Sequence, residues 1–195
     1  MRRAADAGVN WIQLREKDLE GAALANLACA AIESLRASGA QGEATRLLIN
    51  DRVDVAWAVG AGGVHLGESA VPVGEVARAR RLRGDRDFLI GASCHSLEAA
   101  RRAEGDGADY VFFGPVLDTP SKAAFGPPQG LPGLAKVCAA LQIPVLAIGG
   151  INAETAAACV EAGAAGVAAI RWFQDAVDPS AAIARLRSIP RQRLS

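Results

Sequence analysis

Seven short apolar runs punctuate this chain: Trp11–Glu16, Leu47–Asn50, Gly63–Leu66, Leu89–Ser93, Tyr110–Gly114, Val145–Gly149 and Gly166–Ile170. Most are continuously apolar rather than alternating, the pattern of strands covered on both faces. Between them run stretches rich in Ala, Leu, Glu and Arg, such as Leu19–Ala37 and Ser96–Gly105, long enough for helices. A strand–helix alternation without hairpin signals predicts a parallel sheet with crossover helices. The first run is unusual. In WIQLREKD, Gln13, Arg15 and Lys17 occupy alternate positions, so in a strand they point one way while Ile12 and Leu14 point the other.

One phrase recurs just ahead of strands: DAGVNWIQL, AVGAGGVHL, GDGADYVFF and EAGAAGVAAI. Each puts glycine where a helix must stop and then feeds an apolar strand start. Four copies spaced about two βα units apart favour a repeating barrel over an open Rossmann sheet. No GxGxxG follows the first strand, as a Rossmann fold would require. The expected fold is therefore an α/β TIM (β/α)8 barrel forming one domain over residues 1–195. Such barrels have eight strands in about 250 residues. Here seven βα units are visible, so the chain is expected to start one strand late, leaving open edges beside Trp11–Glu16 and Gly166–Ile170.

Composition narrows the function classes. With 51% hydrophobic content in 195 residues, the chain can bury one sizeable core. Its 21 basic and 21 acidic residues cancel, which argues against a nucleic-acid or membrane-surface partner and makes any anion site local. Cys29, Cys94, Cys138 and Cys159 are far apart and include no CxxC pair, so they read as small buried residues in a reduced cytosol. No apolar run reaches the length of a membrane span, and MRRAADAGVN lacks the apolar core of a signal peptide. The expected setting is cytoplasmic.

In the predicted fold, chemistry collects at the C-terminal strand ends. Those ends carry Gln13, Arg15 and Lys17; Asn50 and Asp51; His65 and Glu68; Ser93 and His95; Thr119, Ser121 and Lys122; Gly149 and Gly150; and Arg171. Two cations and an amide rising together suit a polyanion such as pyrophosphate. The bland alternative for Arg15 and Lys17 is a solvated ion pair with Glu16, Asp18 or Glu20. In LAIGGINAET, Gly149–Gly150 ends a strand and Asn152 is placed to cap a helix beginning near Ala153. Backbone N–H groups there form a phosphate seat; otherwise the diglycine is simply a tight turn. DTPSKAAFGPPQG, from Asp118 to Gly130, reads as a polar lid that closes over ligand, or as an ordinary surface loop.

Taken together, QLREK, LLINDRVDVAWAVGAGGVHLG, GASCHSLEAA, GADYVFFGPV, TPSK and PVLAIGGI resemble the thiamine-phosphate synthase and TenI family, in order from Val9 to about Pro179. The resemblance implies a TIM barrel in which hydroxymethylpyrimidine pyrophosphate meets thiazole phosphate. Pyrophosphate leaves with help from Mg²⁺, and the thiazole nitrogen traps the pyrimidine carbocation. It also implies pyrophosphate contacts at Gln13, Arg15, Lys17, Asn50, Ser93 and Lys122, and a Mg²⁺ ligand at Asp51. Loop hydroxyls fall at Thr119 and Ser121, and a thiazole-phosphate contact at Gly150.

The chain departs from the family pattern in three places. The synthase motif HLGQED reads HLGESA, so Ala70 stands where a second Mg²⁺ ligand is expected and Glu68 or Ser69 must compensate. In VAAIRWF, Arg171 replaces a phosphate-binding Ser, either as a cation on the phosphate or as an obstruction. The family's first strand is missing. A rival reading is the TenI branch of thiazole tautomerases, in which a His matching His95 is the acid/base. Loss of the second carboxylate favours that branch, while the pyrophosphate set favours the synthase. A third reading is a non-catalytic protein that binds thiamine precursors. Small phosphorylated substrates are the expected partners in each, in a chain that could form a homo-oligomer.

Overall fold

A computed structural model describes residues 1–37, 45–118, 127–175 and 178–189. The chain divides into two compact units, Met1–Gly91 and Ala92–Ser195. Among the described residues there are seven strands, each followed by helix, and no helix is long and apolar enough to cross a membrane.

The first unit opens with helix α1 (Arg2–Asp6) and strand β1 (Trp11–Leu14), followed by α2 (Gly21–Arg36) and β2 (Arg46–Asn50). Next come α3 (Val53–Ala58), β3 (Gly63–Leu66), α4 (Val73–Arg83) and the start of β4 (Leu89–Cys94). β1, β2 and β3 pair in parallel, with Leu14 opposite Ile49 and Ile49 opposite Val64. These in-register side chains share one face and pack with Leu24, Ala28, Val55 and Ala56 of the helices; Ile12 packs against the same cluster. Gln13, Leu48 and Gly63, one register row away, therefore face the opposite side of the sheet. The division between Ile12/Leu14 and Gln13 follows the sequence pattern.

The second unit contains the end of β4, then α5 (Leu97–Gly105), β5 (Tyr110–Phe113), α6 (Gly130–Ala140) and β6 (Val145–Ile148). It continues through α7 (Thr155–Glu161), β7 (Gly166–Ala168), α8 (Arg171–Gln174) and α9 (Pro179–Arg187). β5, β6 and β7 pair in parallel, with Phe113 opposite Ala147 and Ala147 opposite Val167. Tyr110, Phe113, Leu134 and Ala147 are buried here. Burial pushes the Tyr110 hydroxyl pKa well above its ordinary value.

The recurring glycine phrase has one structural meaning. Gly8, Gly60, Gly107 and Gly163 follow α1, α3, α5 and α7, and all four adopt positive φ, between 66° and 100°. Each helix closes with the same pair of hydrogen bonds. The glycine N–H donates three residues back, as in Gly107 to Glu104 (3.0 Å), and the next N–H donates five back, as in Ala108 to Ala103 (2.9 Å). This is the Schellman closure, which favours glycine at the left-handed position. Ala61, Ala108 and Ala164, the residues that follow three of these glycines, are buried. The strand ladder resumes at once: Gly62 N–H donates to the Leu47 carbonyl, and Ala165 N–H to that of Val145.

Element ends differ from the sequence pattern in small ways. β1 ends at Leu14 rather than Glu16, and β7 at Ala168 rather than Ile170. α5 starts at Leu97, with the Ser96 hydroxyl accepting from Ala99 N–H as its cap. Cys94, Cys138 and Cys159 are buried as expected, but Cys29 is exposed, since it lies off the face of α2 that buries Leu24, Ala28, Ala31 and Leu35. Burial pushes the Cys138 and Cys159 thiols up to about 11, so both stay protonated and unreactive near neutral pH.

Glu104 of α5 ties the approach to β6: its Oε1 accepts from Gln142 N–H (2.6 Å) and Ile143 N–H (3.1 Å). Charge-assisted bonds of this kind contribute about 1.5–3 kcal/mol. Glu104→Ala is expected to lower the thermal midpoint by about 4–8 °C, taking about 2 kcal/mol and the entropy of unfolding of a chain this size. Circular dichroism melts of both proteins would measure it, and an unshifted midpoint would show that the segment is held by other contacts.

Candidate active site

In the first unit, the ends of three adjacent strands are joined by one polar chain. Gln13 Nε2 donates to Asn50 Oδ1 (2.7 Å), and Asn50 Nδ2 donates to Asp51 Oδ2 (2.8 Å). Gly67 N–H donates to the other carboxylate oxygen, Asp51 Oδ1 (2.7 Å). The Asp51 N–H in turn donates to the His65 carbonyl (2.9 Å), so both its backbone and side chain are anchored to the end of β3. Asp51 has φ 60°, the left-handed region where Asp is tolerated better than most side chains. Gly67 lies close to the carboxylate: a Cβ there would sit 3.3 Å from Asp51 Oδ1, a tight contact that would push the carboxylate by a few tenths of an ångström.

Arg15 and Lys17 are exposed and lie beyond the last residue of β1, so strand alternation does not orient them. Among the described residues neither forms an ion pair, so the alternative pairing with Glu16, Asp18 or Glu20 is not observed. The neighbouring Arg52 does form one. It grips Asp54 through two bonds of 2.9 and 2.7 Å, and this contact holds the Asp54 carboxyl below its ordinary pKa. Glu68 and Ser69 are exposed on the turn after Gly67, while half-buried Ala70 packs against the core cluster. Among the described residues no group of three or more His, Cys, Asp or Glu side chains could hold a metal ion alone.

In the second unit, Ser93 is half-buried in β4 and His95 follows that strand directly. His95 Nδ1 makes a close hydrogen bond to the Gly114 carbonyl at the end of β5. A carbonyl only accepts, so Nδ1 carries a proton, and in the neutral tautomer that this contact selects the acceptor nitrogen is Nε2.

Gly149 and Gly150 follow β6 with φ 94° and 69°. The loop after β5 crowds both: a Cβ on Gly149 would lie 2.7 Å from Pro115, and one on Gly150 2.6 Å from Leu117. The crowding comes from backbone pairing that continues past the strands, with Val116 N–H donating to Ile148 and Leu117 N–H to Gly149. Asn152 does cap the following turn, its Oδ1 accepting from Glu154 and Thr155 N–H (2.9 Å each). The regular helix is bounded at Thr155, two residues later than expected, and the Thr155 hydroxyl accepts from the Asn152 N–H, closing the capping turn between them. Arg171 is exposed and heads the short helix α8 rather than lying in a loop. Thr119, Ser121 and Lys122 lie outside the described residues.

Comparison with known proteins now adds to this geometry. The thiamine monophosphate synthase family model matches residues 1–173. The thiamine-phosphate synthase of Roseiflexus castenholzii is 43% identical over 190 residues, covering 97% of this chain and 79% of that protein. That of Moorella thermoacetica is 42% identical over 189 residues, covering 97% and 86%. Among solved structures, the thiamine phosphate pyrophosphorylase of Pyrococcus furiosus superposes with a TM-score of 0.79 at 35% identity, covering 96% of this chain and 86% of its own. With the parallel βα order, these similarities give the fold class as TIM-barrel-like α/β.

The diglycine yields a stability test. Gly150→Ala imposes a left-handed backbone on alanine and an overlap with Leu117, together costing about 2–4 kcal/mol. Gly105→Ala, at the end of α5 with nothing within 4 Å of the added methyl, is expected to leave the protein equally or more stable. Paired thermal melts would compare them, and equal midpoints would mean that the loop after β5 yields freely.

Proposed function

This chain belongs to the thiamine monophosphate synthase family, and we propose that it is a thiamine-phosphate synthase, a transferase joining hydroxymethylpyrimidine pyrophosphate to thiazole phosphate. In the reaction, the bond between the pyrimidine methylene and the pyrophosphate oxygen breaks, and pyrophosphate leaves with the electron pair. The thiazole nitrogen then supplies the pair for the new C–N bond. The observation that carries this reading is the Asp51 carboxylate, fixed between Asn50 and Gly67 beside a strand end followed by exposed Arg15 and Lys17.

A leaving pyrophosphate gains charge as the bond lengthens, and positioned cations and N–H donors that meet this gain lower the barrier. In the proposal Gln13, Arg15, Lys17, Asn50, Ser93 and Lys122 receive pyrophosphate, and Thr119 and Ser121 add loop hydroxyls. Gly149 and Gly150 receive the thiazole phosphate, joined by Arg171 as a cation in the family's Ser position. The Nε2 of His95 supplies a proton acceptor. That nitrogen would also serve a tautomerase, but a tautomerase has no pyrophosphate for the cations that follow β1 to hold.

Mg²⁺ fits this arrangement. It binds through one or two carboxylates plus substrate phosphates, and Asp51 offers a carboxylate held in place by two donors that leave lone pairs over. Asp51 is the proposed ligand, with Glu68 the nearest replacement in sequence for the missing carboxylate at Ala70. When bound, the ion offsets the charge on the departing pyrophosphate.

Two kinetic measurements test the proposal. Arg15→Ala and Lys122→Ala are each expected to lower turnover on the order of 10²-fold, the scale of losing one such donor, while both variants fold. Wild-type turnover in both would remove the pyrophosphate role. Ala70→Asp restores the family's second carboxylate, so activity at limiting Mg²⁺ should rise. An unchanged Mg²⁺ dependence would mean that Glu68 or water already serves.

A further inference from the structure

We propose that Gln13 is a positioning residue for the Asp51 carboxylate, acting through the side-chain amide of Asn50; the inference rests on Asp51 being a ligand for a divalent cation. The warrant is the forced polarity of the hydrogen-bond chain. A carboxylate only accepts, so Asn50 must present Nδ2 to Asp51 Oδ2, which turns Oδ1 toward Gln13. Gln13 must then present Nε2, as observed at 2.7 Å. Each amide has one orientation that satisfies its neighbour; the carboxylate sets it for Asn50, and Gln13, by donating to Asn50 Oδ1, holds the Asn50 side chain against Asp51. The opposite carboxylate oxygen is held by the Gly67 N–H, so the plane of the carboxylate is fixed from both sides. Asp51 has little other freedom, because its left-handed backbone is tied to the His65 carbonyl. Groups that orient a metal ligand in this way change metal affinity by about 10–100-fold when removed.

Gln13→Glu separates this role from simple electrostatics. The introduced carboxylate cannot donate to Asn50 Oδ1, so it captures Nδ2 and rotates the amide. Asn50 Oδ1 is then left against Asp51 Oδ2, an oxygen facing an oxygen. An added negative charge alone should tighten cation binding; loss of positioning should weaken it. The probe is Mn²⁺ with saturating inorganic pyrophosphate, which supplies the phosphate oxygens that complete such a site, followed by electron paramagnetic resonance on the full chain, since Mn²⁺ shares the oxygen-ligand preference of Mg²⁺. Binding is expected to weaken about 10-fold or more in Gln13→Glu and to be lost in Asp51→Asn. Gln13→Leu, which removes the donor without adding charge, is expected to fall between them and serves if Gln13→Glu does not fold, as judged by thermal melts. Unchanged or tighter Mn²⁺ binding in both Gln13 variants overturns the proposal, as does binding that survives Asp51→Asn. A wild-type protein that binds no Mn²⁺ overturns it together with the metal role of Asp51, whereas the synthase reading stands or falls separately on turnover.

Discussion

A parallel strand can be followed by a parallel neighbour only if the chain climbs back along the sheet, and here the strands are three to six residues long. So short a strand tolerates no slack, because a one-residue slip would turn its buried side chains outward. The return helices must therefore stop at a defined residue and reverse within two. The left-handed glycines Gly8, Gly60, Gly107 and Gly163 perform this reversal, and the ladder restarts one or two residues past the closure. The chemistry at the far ends of the strands depends on the register fixed here. Gln13 reaches Asn50 because β1 and β2 are aligned with Leu14 opposite Ile49.

At that far end, order comes from one anion. An amide has two nearly isosteric orientations, and neutral neighbours often fail to choose between them. A carboxylate chooses, since it has no donor to offer, and its choice passes from Asp51 to Asn50 to Gln13. The same carboxylate accepts from Gly67, where a glycine lets the N–H approach Oδ1 with the least crowding. Backbone strain at Asp51, with φ 60°, is offset by these contacts, as expected where surrounding structure over-determines a disfavoured conformation.

Much of this was readable in the amino-acid pattern, and the omissions have physical causes. Strand positions, the parallel order, the helix stops and the opposed faces of Ile12/Leu14 and Gln13 follow from periodicity and glycine placement. Arg15 and Lys17 were oriented by assuming that the strand continued to Glu16. Their apolar flanks end at Leu14, and so does the ladder. Gly67 was missed because its importance lies in nearness to a residue 16 positions away. The left-handed backbone at Asp51 left no local mark, because Asp occupies ordinary conformations too. The diglycine after β6 reads in sequence as a phosphate seat or a tight turn, and neither pattern reveals the close approach of Pro115 and Leu117, which lie far off in the chain.

Constraints of this kind divide the site into parts that can vary and parts that cannot. Gly67, Gly149 and Gly150 are fixed by sub-van der Waals or tight approaches of neighbouring atoms, and Asp51 by its backbone conformation. Substitution of the two left-handed glycines disturbs the fold before it alters chemistry, whereas Asn, which tolerates the left-handed region as Asp does, is accommodated at position 51. Arg171 is different: it is exposed at the start of a four-residue helix, and no packing demand holds its identity. Ala70 is intermediate, half-buried against the core through one methyl group. Neither position carries the backbone constraint that holds the glycines and Asp51. Divergence in metal demand or phosphate preference within such a fold is therefore expected at positions of this second kind, around a backbone frame that the parallel ladder and its glycines keep unchanged.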